Sequence, residues 1–262
     1  MKTIVTILTL ACISLILVGI FPPQSSAKID PKNIVGLWLF DEGVGKAAKD
    51  SSGKGNDGDL VGNPKWVAGK FGKALEFNGT SDSMEANSDG LSLAADDRTI
   101  AFWVKSPNMA VGNKFLVGWG NGTAQQMSSL IMGWINAPSK KFAFWGWGND
   151  LEAPTELKND TWYHMAWTLK AKTSSRLYLD GKVDREAPIT PGLSTPPKTK
   201  FRVANFTAVM TAFAGTFDEV IVFNVALEQE DVNSLMKGMR AILDVSPSGK
   251  LTTTWGRIKN YK

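Results

Sequence analysis

Residues 176–184 read "RLYLDGKVD". Two short apolar runs flank the pair Asp180-Gly181, which tolerates positive φ at both central positions of a tight turn, so the stretch reads as a β-hairpin. The same pattern extends outward in both directions. "TWYHMAWTLK" (161–170), "KFAFWGWG" (141–148), "SSLIMGWIN" (128–136), "KFLVGWG" (114–120), "RTIAFWVK" (98–105), "KALEFNG" (73–79) and "IVGLWLF" (34–40) precede it. "KFRVANF" (200–206) and "TFDEVIVFN" (216–224) follow it. Each run is short, rich in β-branched and aromatic residues, and bounded by Gly, Asn, Asp or Pro, as strands are. No helical pattern alternates with them, which argues for an antiparallel two-sheet jelly-roll sandwich. A single helix is expected at Ala226–Met239, where Leu227, Val232, Leu235 and Met239 recur at helical spacing with acids near the start. It would cap the end of the sandwich. The fold class is therefore all-β with one short C-terminal helix.

The chain opens "MKTIVTILTLACISLILVGIFPPQSSA" (1–27), with one early lysine, an apolar run to Phe21, then Pro22-Pro23 and the small residues Ser25-Ser26-Ala27. This is the layout of a secretory signal peptide. The alternative is an uncleaved anchor, since the run approaches the ~18 residues that span a bilayer. Cleavage after Ala27 would remove Cys12, the one cysteine, so the domain at 28–245 would be held by its core without disulfides. Residues 246–262 read as a tail that could hold a last strand. These features predict a secreted, extracellular or periplasmic protein with no membrane contact beyond the leader. Its 29 basic and 25 acidic residues interleave, with no basic run of the kind that binds nucleic acid.

Several middle strands are apolar on both faces. In residues 141–149 Phe142 and Phe144 point one way, and Trp145 and Trp147 point nearby or opposite, depending on whether the strand carries a bulge; Trp119 and Trp134 add further indoles. One face of a sandwich strand should be polar. Tryptophan on that second face would be available to stack on a sugar ring, with Asn121, Asn136 and Asn149 in the adjoining loops as polar partners. The bland alternative places these indoles in the core or under a loop, with recognition in the loops at 150–159 and 187–198.

Residues 36–84, from "GLWLFDEG" through "DSSGKGNDG" and "GKFGKALEF" to "NGTSDSM", resemble the opening of laminin-G-like, concanavalin A-like jelly-roll domains. "RTIAFWVK", "TWYHMAWTL", "LYLDGK" and "FDEVIVFNVAL" continue the resemblance in order, so that it covers about 34–239. It implies the sandwich fold. It says less about function, because such domains include lectins, adhesion modules and glycosidases. The resemblance also implies a structural calcium ion. The loop at 41–59 lacks the Gly-Lys-Ser/Thr of a phosphate loop and the acid spacing of an EF-hand. It is nevertheless rich in oxygen donors, and Asp50, Asp41 and Asn56, with Asp218 brought close by the fold, are the expected ligands. The competing reading is that Asp50 and Asn56 only make turns.

Catalytic motifs are sparse. The Glu-x-Asp-x-x-Glu strand pattern of glucanases of this fold is absent, and Asp41-Glu42 and Asp218-Glu219 are neighbours that an extended strand would point to opposite faces. His164, the one histidine, reads as a structural strand residue, and it cannot build a zinc site of the usual kind alone. No Gly-x-Ser-x-Gly elbow occurs. Sequons stand at Asn78, Asn121, Asn159 and Asn205 and matter only in a eukaryotic secretory pathway. The expectation is an exported non-catalytic module that binds a polysaccharide or other glycan, with an extracellular protein partner as the alternative and a glycosidase as the third reading.

Overall fold

A computed structural model of the protein describes residues 29–88, 90–91, 96–134, 137–171, 173–189, 193–206 and 210–244. The proposed leader, Asn136 and the tail from 246 lie outside them. Two sheets face each other. The first has eight strands, ordered β14 (Lys182–Pro188), β13 (Ser174–Leu179), β12 (Tyr163–Lys170), β7 (Arg98–Lys105), β17 (Ala214–Phe223), β5 (Lys73–Asn78) and β4 (Lys65–Ala68). Strand β17 is long enough to pair β5 with its first half and β1 (Ile34–Trp38) with its second. The second sheet has nine strands, ordered β11 (Leu151–Glu152), β10 (Ala137–Trp145), β9 (Met127–Trp134), β8 (Lys114–Gly120), β15 (Lys200–Val203), β6 (Ser83–Asn87), β3 (Gly58–Val61) and β2 (Ala47–Ala48), with β16 (Thr211–Ala212) paired to β8. The pairings are antiparallel except β16 with β8.

The inner faces make one core. Trp38 of the first sheet stacks on Phe201 of the second at 4.7 Å, and Phe144 stacks on Trp167 at 4.0 Å. Their indole N–H groups remain satisfied inside: Trp38 Nε1 donates to Asn56 O and Trp167 Nε1 to Ser175 Oγ. A buried indole without such a partner would cost roughly 1–3 kcal/mol. The hairpin expected at Asp180-Gly181 forms, with φ of 46° and 75° at the two positions.

The expected single helix is instead two. Helix α1 (Gln229–Leu235) begins three residues late because Glu228 stays extended, and Gly238 at φ 103° separates it from α2 (Arg240–Asp244). The pair does not cap the end of the sandwich. Val232, Leu235, Met239 and Ile242 pack on Ile34, Leu37, Ala101, Ala166, Tyr178, Ile221 and Phe223, which form the outer face of the eight-stranded sheet. That face is thus a second buried layer. Among the described residues no helix is long and apolar enough to cross a membrane.

Candidate functional site

The outer face of the nine-stranded sheet is different. Phe115, Met127, Ile131, Ala143 and Trp145 point outward there, alternating with the core residues Leu116, Leu130, Met132, Phe142 and Phe144. They are buried together with Phe206 and Met210 from the connection between β15 and β16, and only Trp134, against the cluster's edge, is partly buried. From Trp145 the cross-strand register runs through Ser129, Gly118, Arg202, Glu85 and Asp59. Gly118 cannot carry a side chain, since a Cβ would lie 2.2 Å from Ser128 O at φ 155°. The row therefore has aromatic rings at one end, a bare stretch of backbone, and charge at the other end. There Glu85 is bonded to Arg202 Nε at 3.1 Å and Lys200 Nζ at 3.0 Å.

At the aromatic end the chain leaves β10 through the turn Gly146-Trp147-Gly148. Trp147 has φ 51° and is 36% exposed, and its ring lies 5.5 Å from that of Trp145. A bulky residue in the left-handed region is uncommon and costs roughly 1–3 kcal/mol, so surrounding contacts must hold it. They do. Asp150 Oδ1 accepts the Gly146 N–H at 3.0 Å, and its carboxylate also accepts the N–H groups of Trp147 and Gly148. Burial pushes the Asp150 carboxyl above its ordinary range while these three donors pull it back. From the other side Gln125, itself at φ 61°, donates its N–H to Trp147 O at 3.0 Å. Beside it the β8–β9 turn is knitted by Asn121 Nδ2 and Thr123 Oγ1, both donating to Gln126 Oε1. The result is an exposed indole on a rigid turn, rimmed by amides and a hydroxyl.

The expected ligand-binding residues therefore separate. Trp145, Trp147 and Trp134 belong to the outer face, and Asn121 lies in the adjoining turn. Asn149 follows the Trp147 turn, against a 90 Å³ cleft between β11 and the end of β14. Trp119 is corrected: it is fully buried between the sheets, beside Phe201 and 5.5 Å from the Arg98 guanidinium. The reason is a register shift between Phe115 and Val117, which turns Leu116 and Val117 both inward and puts Trp119 in the core with them. Gln125, Thr123, Gln126 and Asp150 were not singled out by sequence; their roles depend on left-handed turns and backbone donors that no local motif announces.

The expected calcium ligands also separate. Asp50 Oδ1 accepts the N–H groups of Leu37 and Ser52, and its Oδ2 accepts that of Asn56. Asn56 Nδ2 donates to Val35 O. These contacts close the 50–56 loop onto β1, and donors aimed at both Asp50 oxygens leave a poor cation seat. Asp41 and Asp218 lie together by the 69–72 turn. Asp41 Oδ1 accepts the Lys73 N–H and its Oδ2 pairs with Arg240 at 2.7 Å. Asp218 Oδ2 accepts the Phe71 N–H, while its Oδ1 is buried without a partner. Glu219, bulged at φ 46°, accepts the Met239 N–H. Burial pushes Asp218 and Glu219 each up to about 7, against the pull of these backbone donors. Among the described residues no group of three or more His, Cys, Asp or Glu side chains is gathered to hold an ion.

His164 is fully buried against Trp103, with both ring nitrogens unpartnered, and burial pushes it down to about 3. It is neutral and structural. Glu85, on the outer face of the nine-stranded sheet, is also poorly suited to acid catalysis. Burial raises Glu85, but the hydrogen bonds from Lys200 and Arg202 bring it below its ordinary value, whereas a glycosidase acid must be held above it.

The family model described as "Concanavalin A-like lectin/glucanases superfamily" matches residues 78–233. A search by sequence among curated proteins finds no match. Among solved structures, domain 4 of AbnA, a GH43 extracellular arabinanase from Geobacillus stearothermophilus, was determined in complex with arabinotriose. It superposes with a TM-score of 0.62 at 20% identity, covering 78% of this chain and 98% of that one. The binding domain of botulinum neurotoxin DC, in complex with rat synaptotagmin II, gives 0.60 at 10%, over 79% of this chain and 52% of that one. A structure of botulinum neurotoxin type C, whose cell entry is dependent upon interaction with two ganglioside molecules, gives 0.60 at 10%, over 79% and 51%. The chain thus spans about half the length of these toxin chains. At such identities the likeness shows the fold alone.

Proposed function

The chain belongs to the concanavalin A-like lectin/glucanases superfamily, and on that premise we propose that it is a non-catalytic carbohydrate-binding domain that stacks a sugar ring on Trp147. The observation that carries the reading is the Trp147 turn: a strained, exposed indole held from below by Asp150 and from the side by Gln125. Holding an apolar ring outward in a left-handed conformation costs stability, and such strain concentrates at binding sites. Sugar stacking on indole needs this presentation, with hydroxyl partners such as Asn121 and Thr123 at the rim. Structural neighbours bound to arabinotriose and dependent on gangliosides support a glycan ligand. The neighbour bound to synaptotagmin supports a protein partner instead. The large apolar residues exposed among the described ones are Val44, Val61, Trp147 and Val183, each on a different element. That scatter suits a sugar subsite better than the roughly 800 Å² per partner of a stable protein interface. Export would follow from the leader at 1–27.

The test is a glycan and polysaccharide binding panel with the wild type, Trp147→Ala and Trp147→Phe. Binding lost in the alanine variant and largely kept in the phenylalanine variant is expected; binding unchanged by Trp147→Ala would move the site elsewhere. We also propose that a stabilising calcium ion acts through Asp218 Oδ1 with Asp41 nearby, and not through Asp50 or Asn56. Melting in calcium and in chelator checks this: calcium should raise the wild-type Tm and leave Asp218→Asn unchanged, and an equal shift in both would refute it.

A further inference from the structure

The chain segments that frame Trp147 carry no cationic side chain, and the Arg98 guanidinium that donates to Ser128 Oγ and Thr195 Oγ1 is fully buried between the sheets. Segments 119–129, "WGNGTAQQMSS", and 142–149, "FAFWGWGN", contain no Lys, Arg, His, Asp or Glu. Ser194, whose N–H is bonded to Gln125 O, lies in the equally uncharged Leu193-Ser194-Thr195. Two carboxylates adjoin these segments: Asp150 is turned under the Trp147 turn and accepts its N–H groups, and Glu152 stands opposite Ala143 on β11, one strand from Trp145. Along the outward row from Trp145 the first charged residue is Arg202, three strands away across β9, β8 and β15, or roughly 14 Å at ~4.8 Å per strand. Arg202 is already paired with Glu85 and stacked on Phe206.

From this environment we infer that the Trp147 site takes a neutral saccharide and discriminates against uronate-, sulfate- and sialate-bearing ones. The inference rests on the stacking reading above and adds the chemical class of the ligand. The indole supplies a face for ring C–H groups, and Asn121, Thr123, Gln125 and Gln126 supply amides and a hydroxyl for sugar hydroxyls. An anionic group placed there would lose water and find no cation, so its desolvation would go uncompensated. The net charge of +4 acts the other way, drawing polyanions to the surface as a whole. The local and the global electrostatics therefore make opposite forecasts.

The experiment is titration of the full chain and of Trp147→Ala with neutral oligosaccharides (arabinan, xylan and β-glucan fragments) and with oligogalacturonate and sialyllactose, at low salt and at about 0.5 M salt. The expected result is neutral binding that requires Trp147 and changes less than about twofold with salt, with the anionic ligands at least about tenfold weaker. An anionic saccharide that binds more tightly, weakens with salt and is lost in Trp147→Ala would overturn the neutral class while keeping the stacking site. Binding of either class that survives Trp147→Ala, or none at all, would overturn the stacking reading itself.

Discussion

The two sheets carry apolar side chains on their outer faces as well as their inner ones, yet the two outer faces end differently. On the eight-stranded sheet, α1 and α2 lay Val232, Leu235, Met239 and Ile242 across Ile34, Ala101, Ala166 and Ile221 and seal the layer. On the nine-stranded sheet, Phe206 and Met210 cover Phe115 and its neighbours, and the covering stops short of Trp147. The same pattern of two-sided apolar strands thus produces a broad second core layer where the helices lie on it and, where only a loop does, a smaller buried cluster with Trp147 exposed beyond its edge. Outward-facing aromatics signal function only at the point where their cover ends.

Substitutions can break that contrast. The largest expected effect is on the sealed face: Leu235→Ala, at a fully buried position, should lower stability by about 2–5 kcal/mol, read by denaturant unfolding, with glycan affinity of the folded fraction unchanged. Trp147→Ala should do the reverse. Glycan binding should weaken by about 1.5–3 kcal/mol, roughly ten- to a hundredfold, while the unfolding midpoint stays within about 0.5 kcal/mol of the wild type. Asp150→Asn should fall between these in kind, because it loosens the turn without removing the ring. A few-fold loss of affinity is expected, on the order of one charge-assisted hydrogen bond weakened to a neutral one.

The sealed face should also respond to pH. Asp218 and Glu219 are held up to about 7 in the folded chain, from ordinary values of 3.8 and 4.5. Between those limits the folded state binds more protons than the unfolded one, so stability is full below pH ~4 with respect to these groups and falls as pH rises through ~7. The Tm at pH 8 should lie below that at pH 5.5, and Asp218→Asn should flatten the slope. A rising slope over the same window would show that the carboxylates are stabilised as anions.

Much of the fold was legible because it depends on local chemistry. Asp180-Gly181 marks its hairpin through the φ values the two residues accept, and each expected strand run contains or overlaps an observed strand. The helical segment was less legible: Gly238 breaks a pattern whose spacing continues through it to Met239, and the helices' place on the sheet depends on tertiary contacts. The site was half legible. Alternation left Trp145 beside or opposite Phe142 and Phe144 depending on a bulge; the register of β10 is regular there and puts it opposite, but the bulge in β8 reversed the side of Trp119. A register slip of one residue moves a side chain from one face to the other, and no residue type in "KFLVGWG" announces it. Asp50 makes the turn that the competing reading described, through three backbone donors that no local motif announces.

The most direct measurement is a two-dimensional NMR spectrum of the indole Nε1–H groups during titration with the best-binding saccharide from the panel, with each peak assigned by single substitution. The account predicts that the Trp147 peak shifts most and that Trp145, 5.5 Å away, follows it, while the buried Trp119 and Trp167 stay fixed. A saturable shift confined to indoles other than Trp147 and Trp145, with Trp147 unmoved, would contradict it.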